Sequence, residues 1–447
     1  MERNKSFART VWSLAIPVAL QSMLQSSFSM IDQIMIGQLG SVSVAGVGLA
    51  GKFSSIFSVL ASAIGAIAGI MISQYLGQKN RQEVRRSFYL NLMIVTAMAS
   101  VFTFLSILFP RQIMGLYTQD RETILAAASY LAVIAGTFLP VAGATLLSTL
   151  FRCMEKASLP LYASIIAAVL NTGLNYILIF GKLGFTAMGA EGAAIATLVS
   201  QLANFLIMLL LFLKYKDILK VSRSASHTVT KFNWAQYASM LLPILICEFM
   251  WSLGENVYAG IYGHLGTESC AAMTLTNPVQ GLMIGALCGL SQAASVIVGK
   301  KLGTGEYDEA YSASKKLILY GIIGSLLLSA VIMVTSRYYV EIYQVEASVK
   351  LLARQILTAY SLVAPFKVLN MILGGGIIRS GGKTKYVMMI DLVGTWVFGV
   401  PLGLLAAFVF QLAIPYVYFI LSLEECIRFC ISIAVFRRKH WMQMLKS

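Results

Sequence analysis

IPVALQSMLQSSFSMIDQIMIGQLG, Ile16 to Gly40, and LPILICEFMWSLGENVYAGIYGHLG, Leu242 to Gly266, read as one segment written twice. Laid over each other at a shift of 226 residues, Pro17 falls on Pro243, Gly37 on Gly263, Leu39 on Leu265 and Gly40 on Gly266. No gap is needed for about sixty positions, through Ala45 on Ala271 to Leu76 and Gly77 on Leu302 and Gly303. The match returns in FRCMEKAS and IRSGGKTK, where Arg152 and Lys156 meet Arg379 and Lys383 at a shift of 227. Self-similarity on this scale marks a duplicated structural unit.

The unit is a membrane bundle. Of the 447 residues 58% are hydrophobic and 12% charged, against about 45–50% and about 25% in a soluble domain. Twelve apolar runs are each long enough to cross a ~30 Å hydrocarbon core: 11–36, 46–76, 87–109, 124–150, 159–180, 188–213, 236–262, 269–299, 312–335, 350–377, 385–409 and 412–436. They are too continuously apolar for the ~10-residue alternation of a membrane barrel. The expected fold is therefore all-α, with twelve transmembrane helices in two pseudo-symmetric six-helix lobes, residues 1–213 and 236–447, joined by a polar linker at 214–235. Six helices return the chain to its starting side, so the two copies share one orientation.

The 34 Lys and Arg outnumber the 19 Asp and Glu. This excess does not point to nucleic acid, because it is concentrated at the N-terminus, in every second connection (Lys79, Arg81, Arg85, Arg86; Lys214, Lys216, Lys220, Arg223, Lys231) and at Arg437, Arg438 and Lys439. The positive-inside rule then puts both termini in the cytoplasm, with the plasma membrane as the expected location. MERNKSFAR and the long run after it lack the short apolar core and small-residue cleavage site of a signal peptide. The six cysteines form no CxxC and serve packing.

A carboxylate in the middle of a membrane helix costs at least about 2.5 to 3.5 kcal/mol, which makes Asp32 a candidate functional group. Asn171 and Asn175 lie at i and i+4 on the fifth segment, so their amides share one face. Thr197 adds a hydroxyl from the sixth segment. One carboxylate with amide and hydroxyl oxygens suits Na+ or H+ better than a divalent metal; as an alternative, the Asn pair only joins helices. In the second half, Glu248 and Glu255 stand seven apart with Trp251 between them, an acidic and aromatic wall that attracts lipophilic cations. Gln280 and Lys367 complete the expected substrate cavity, unless Lys367 pairs with one of the two glutamates. Glu424 and Arg428, at i and i+4, read as an intrahelical ion pair, and Asp391 as a helix-end acid. Pro17 interrupts the first helix and supplies a hinge.

Other strings carry less. SGGKT, Ser380 to Thr384, lacks the earlier glycine of a phosphate loop, since position 377 is Ile377, and no strand precedes it. The chain contains no HExxH or GxSxG, so an enzyme is not the expected reading and no cofactor is implied. Two lobes enclosing buried polar groups fit alternating-access transport. The alternative is a flippase for lipid-linked precursors, which would usually carry fourteen helices and a more cationic cavity.

LAIPVALQSMLQSSFSMIDQIMIGQLG, ISQYLGQKN, LNTGLNYILIFGKLGFTAMGAEGAAIAT, VGKKLGTG and IIRSGGKTKY occur here in order and at matching spacing. Together they resemble the multidrug and toxic compound extrusion (MATE) family, prokaryotic branch. The resemblance implies a two-lobe exporter, here expected as a monomer, that exchanges Na+ or H+ for organic, often cationic and aromatic, compounds. It also implies a cation site on Asp32, Asn171, Asn175 and Thr197. The sequence departs from the family's sodium-type pattern at Asn175, where that pattern has aspartate.

Overall fold

The computed structural model describes residues 2–215, 233–343 and 345–445. The expected linker, 214–235, therefore lies outside the described residues except at its ends. Every element among the described residues is helical. The first six membrane segments are α1 (Glu2–Gly37), α2 (Ser41–Gly77), α3 (Arg81–Leu108), α5 (Arg121–Ile134) running through a 3₁₀ turn into α6 (Phe138–Cys153), α7 (Ser158–Phe180) and α8 (Gly189–Tyr215); the short α4 (Pro110–Gly115) follows α3. The other six are α9 (Trp234–His264), α10 (Thr267–Gly303), α11 (Tyr307–Glu341), α12 (Ala347–Asn370), α13 (Thr384–Leu392) continuing into α14 (Val400–Leu404), and α15 (Ile414–Ser422) followed by α16 (Glu424–Arg437).

Among the described residues, eleven helices are long and apolar enough to cross a membrane. The twelfth segment is divided at Leu423, where Leu423 N–H bonds to the Ile420 carbonyl at 3.2 Å and Cys426 N–H to the Leu423 carbonyl at 3.0 Å. This i−3 spacing tightens the turn without a proline. The chain is an all-α, multi-pass membrane protein of twelve segments in two six-helix lobes.

The repeat is visible in the backbone. α2 and α10 each run 37 residues, and α10 starts and stops 226 positions after α2. At ~1.5 Å per residue each spans ~55 Å, so the ends project well beyond a ~30 Å hydrocarbon core. Gly40 and Gly266 enter them at φ 91° and 105°, a region closed to side chains by Cβ sterics. Pro17 lies inside α1 and Pro243 inside α9.

By its internal contacts the chain forms two compact units, Leu20–Thr228, and Met1–Ala19 together with Val229–Ser447. The grouping by contacts thus divides α1 two residues after Pro17, and its first part packs with the second half of the chain. Within the second unit, Trp12 stacks on Tyr320 with ring centroids 5.9 Å apart, and the Lys316 ammonium sits 5.3 Å over the Phe7 ring. Gly289 of α10 leaves room for the Ala15 carbonyl, which a Cβ there would strike. In this unit α12, α13 and α14 each pass into a π-helical run, Met371–Ile378, Val393–Gly399 and Leu405–Val409. Such widened turns are rare and are found at functional sites.

Candidate functional site

In the first unit α7 and α8 are held close by Gly192, whose Cβ position is occupied by the Leu178 backbone. Between them the chain turns through Gly181, a left-handed cap at φ 66°, and Met188 N–H closes the loop on the Leu178 carbonyl at 2.9 Å. This approach brings Asn171 and Asn175 of α7 beside Thr197 of α8, and α1 brings Asp32 to the same point.

Asn175 Nδ2 donates to Asp32 Oδ1 at 2.6 Å. With its amide turned so that the nitrogen faces the carboxylate, Asn171 donates to Asp32 Oδ1 at 3.0 Å and Oδ2 at 3.1 Å. The other end of that amide lies 3.4 Å from Thr197 Oγ1, whose own proton goes to the Ala193 carbonyl at 3.0 Å. Both asparagines are buried, Asn175 at 1% exposure. Among the described residues Asp32 has no basic partner, and the buried Asn175 Oδ1 has no donor. A carboxylate held by neutral amides, beside an orphaned carbonyl oxygen and a hydroxyl oxygen, is a hard-oxygen set suited to Na+ or a proton. An apolar cluster of Ile36, Ile179 and Ala193, with Tyr130 against it, lies one turn away. Below, Arg152 Nη2 donates to Gln21 Oε1 at 3.1 Å and Gln21 Nε2 to Ser164 Oγ at 2.8 Å, tying α1 to α6 and α7.

In the second unit the expected substrate residues separate into two groups. Glu255, Gln280 and Lys367 line one cavity of about 100 Å³, together with Tyr258, Tyr262, Tyr360 and Tyr418. Glu248 lies elsewhere and faces Arg379 at 3.9 Å, so its partner is not Lys367. Trp251 is 47% exposed and borders a small pocket that Met250 of the same helix and Trp396 of the Val393–Gly399 run also line. The tyrosines had no sequence signal beyond helical spacing: Glu255, Tyr258 and Tyr262 share a face of α9, and Tyr360 and Lys367 share one of α12.

The expected Glu424–Arg428 pair is present at 3.5 Å, yet Arg428 also approaches Asp391 at 3.7 Å and Glu425 at 3.9 Å. Asp391 is therefore not merely a helix-end acid: the basic neighbour it meets is buried Arg428, and it accepts the Cys247 thiol at 2.8 Å.

A model of the MatE family matches the chain twice, at residues 17–177 and 243–405, with starts 226 positions apart. The chain is 21% identical over 445 residues to the uncharacterized transporter YisQ of Bacillus subtilis, covering 98% of this chain and 96% of that one. It is 23% identical over 411 residues to the probable multidrug resistance protein NorM of Thermotoga maritima, covering 90% and 86%. Among solved structures it superposes on a MATE protein in complex with MaL6 at TM-score 0.88, with 17% identity over 96% of this chain and 95% of the other. It superposes on an outward-facing multidrug resistance MATE family transporter of the MOP superfamily at 0.87, with 18% identity and the same coverage.

Proposed function

The chain belongs to the MatE family, and from that premise we propose that it is a secondary active multidrug efflux transporter, exchanging Na+ or H+ for organic cationic or aromatic compounds by alternating access. The observation that carries this reading is Asp32, a carboxylate inside an apolar helix whose only partners among the described residues are neutral amides. An acid fixed by a lysine or arginine could not change its charge state cheaply. This one can. Both amide nitrogens point at the carboxylate, the bonding an ionised acid accepts. Binding Na+ would need both amides to turn and present oxygens, whereas binding a proton would need only one to turn.

Neutralising Asp32 removes the field that holds α1 to α7, and Pro17, lacking its backbone donor, lets the helix bend above Ala19. The ion drives export only if it binds the extruding conformation more tightly than the other. A tenfold gradient of a coupled monovalent ion supplies about 1.4 kcal/mol per cycle. Glu255, Gln280 and Lys367 support a substrate-facing role for the second-unit cavity, with Glu248 and Trp251 as further contacts for lipophilic cations. The basic connections support cytoplasmic termini in the plasma membrane, and no partner chain is needed for the reading.

The test is dye accumulation in everted vesicles under imposed pH or Na+ gradients. Asp32→Asn is expected to lose gradient-driven uptake by at least tenfold while still binding dye. Full gradient-driven transport by this variant would refute the role of Asp32. The gradient that supports wild-type uptake identifies the ion.

A further inference from the structure

We infer that the second unit holds a proton-binding site of its own, in which Glu424 and Glu425 share a proton over the buried guanidinium of Arg428. The first observation is positional. At the repeat shift of 226 residues, Asp32 falls on Tyr258, and the Tyr258 hydroxyl donates to Glu424 Oε2 at 2.6 Å. The second copy thus retains a carboxylate beside this position but supplies it from its last segment.

The second observation is the balance of charge. Arg428 lies within 3.5 to 3.9 Å of Glu424, Glu425 and Asp391, and the Arg428, Glu424 and Glu425 side chains are each at most 8% exposed. One guanidinium cannot neutralise three carboxylates. Lys367 faces the same cavity but has no carboxylate within ion-pair distance among the described residues. A buried cluster with acids in excess takes up a cation, and the cheapest is a proton.

The surroundings favour the proton over a metal ion. The carboxylate oxygens already face donors: the Tyr258 hydroxyl, the Arg428 N–H groups, the Cys247 thiol at Asp391, and Asn370 Nδ2, which donates to Glu425 Oε2 at 2.9 Å. A sodium ion would need several of these oxygens free and would sit against a fixed positive charge, whereas a proton needs one lone pair. Asn370 Oδ1 and Arg428 Nε are buried without partners among the described residues. A half-turn of the Asn370 amide would let its oxygen accept from a protonated Glu425.

The cavity of about 100 Å³ reaches both glutamates. The ionisable groups facing it are Glu255, Tyr258 and Tyr262 from α9, Tyr360 and Lys367 from α12, Tyr418 from α15, and the pair itself from α16. Behind it stand Asp391 and Cys247. The π-helical run seats the network: a Cβ at Gly394 would strike Arg428, and one at Gly399 would strike both Tyr258 and Glu424.

The proton site does not depend on the transport reading; only its use as a second coupling proton does. Infrared titration of the purified full-length Asp32→Asn protein, between about pH 5 and pH 9, isolates the second unit from the first. A protonated-carboxyl band that titrates is expected, to be removed by Glu424→Gln and shifted by Glu425→Gln, with melting temperature as the check on folding and Glu424→Asp restoring the band. Absence of a titrating band in Asp32→Asn, or its survival in the Glu424→Gln, Glu425→Gln double variant, overturns the proposal. In vesicles of otherwise unmodified protein, a second coupling proton predicts that one pH unit changes the steady-state dye gradient about tenfold more than it does in Glu424→Gln, which is about 100-fold against about 10-fold where Asp32 also carries a proton. Equal gradients would overturn the coupling role while leaving the infrared result standing.

Discussion

Asn175→Asp would place a second carboxylate oxygen where an amide nitrogen now lies 2.6 Å from Asp32 Oδ1. Two unit charges ~4 Å apart at an effective dielectric of ~20 repel by about 4 kcal/mol. That is a large share of a typical folding free energy of about 5–15 kcal/mol. Two ionised acids cannot share the site unaided, so the variant must hold a proton or a metal cation between them. Thr197 Oγ1 and Asn171 are in place to complete an oxygen set. Na+ binding to the folded state alone stabilises by about 2.7 kcal/mol once its concentration is 100 times Kd. The expected outcome is a protein whose melting temperature in detergent rises with NaCl at constant ionic strength, matched against choline chloride, much more than wild type does. Transport should shift toward dependence on an imposed Na+ gradient. If neither Na+ nor a lower pH stabilises Asn175→Asp more than wild type, Asp32 and Asn175 do not face one common ion position, and the proposed site is wrong.

Gly192→Val would drive a side chain into the Leu178 backbone, pushing α8 off α7; overpacking of this kind costs about 1–3 kcal/mol. A lower melting temperature and loss of gradient-driven uptake are expected, while Ala at the exposed, uncrowded Gly37 should change neither. Arg428→Met would leave three carboxylates without their guanidinium, at a cost of about 3–5 kcal/mol. Thermal unfolding should show that loss, and adding Glu424→Gln and Glu425→Gln should return most of it.

The fold was legible because membrane crossing depends on local composition. Apolar length marks each segment, and the backbone demands are written in the residues: glycine at positions 40 and 266, where φ is positive at the entries to α2 and α10, and proline at 17 and 243 inside α1 and α9. The set of Asp32, Asn171, Asn175 and Thr197 was equally readable, since three of the four fall on two consecutive segments and i, i+4 spacing fixes the shared face. Three features were not readable. The break at Leu423 interrupts SLEE, a string with neither glycine nor proline, and takes the form of a turn tightened by i−3 hydrogen bonds. The division of α1 after Ala19 goes with contacts that Trp12 and Ala15 make with Tyr320 and Gly289, far along the chain. Glu248 meets Arg379 and not Lys367 because the direction in which a helix face points is set by its neighbours, which spacing along one helix cannot supply.

The two carboxylate sites differ in what holds the charge, and that difference decides what each can exchange. Asp32 is bound by amides, which are donor at one end and acceptor at the other, so a half-turn of Asn171 or Asn175 converts a cradle for an anion into a cage for a cation. Arg428 has no such freedom: its guanidinium carries donors and no acceptor, and it keeps its charge. On the inference drawn above, only a proton would come and go around it, because any metal ion would have to displace donors it cannot replace. On the proposed reading, ion selectivity of the transport cycle would rest with the first unit. The duplicated scaffold keeps proline at 17 and 243 and glycine at 40 and 266, while the polar residues between them differ: Asp32 in one copy stands where Tyr258 stands in the other, which is how the two proposed sites would come to differ in the ions they take.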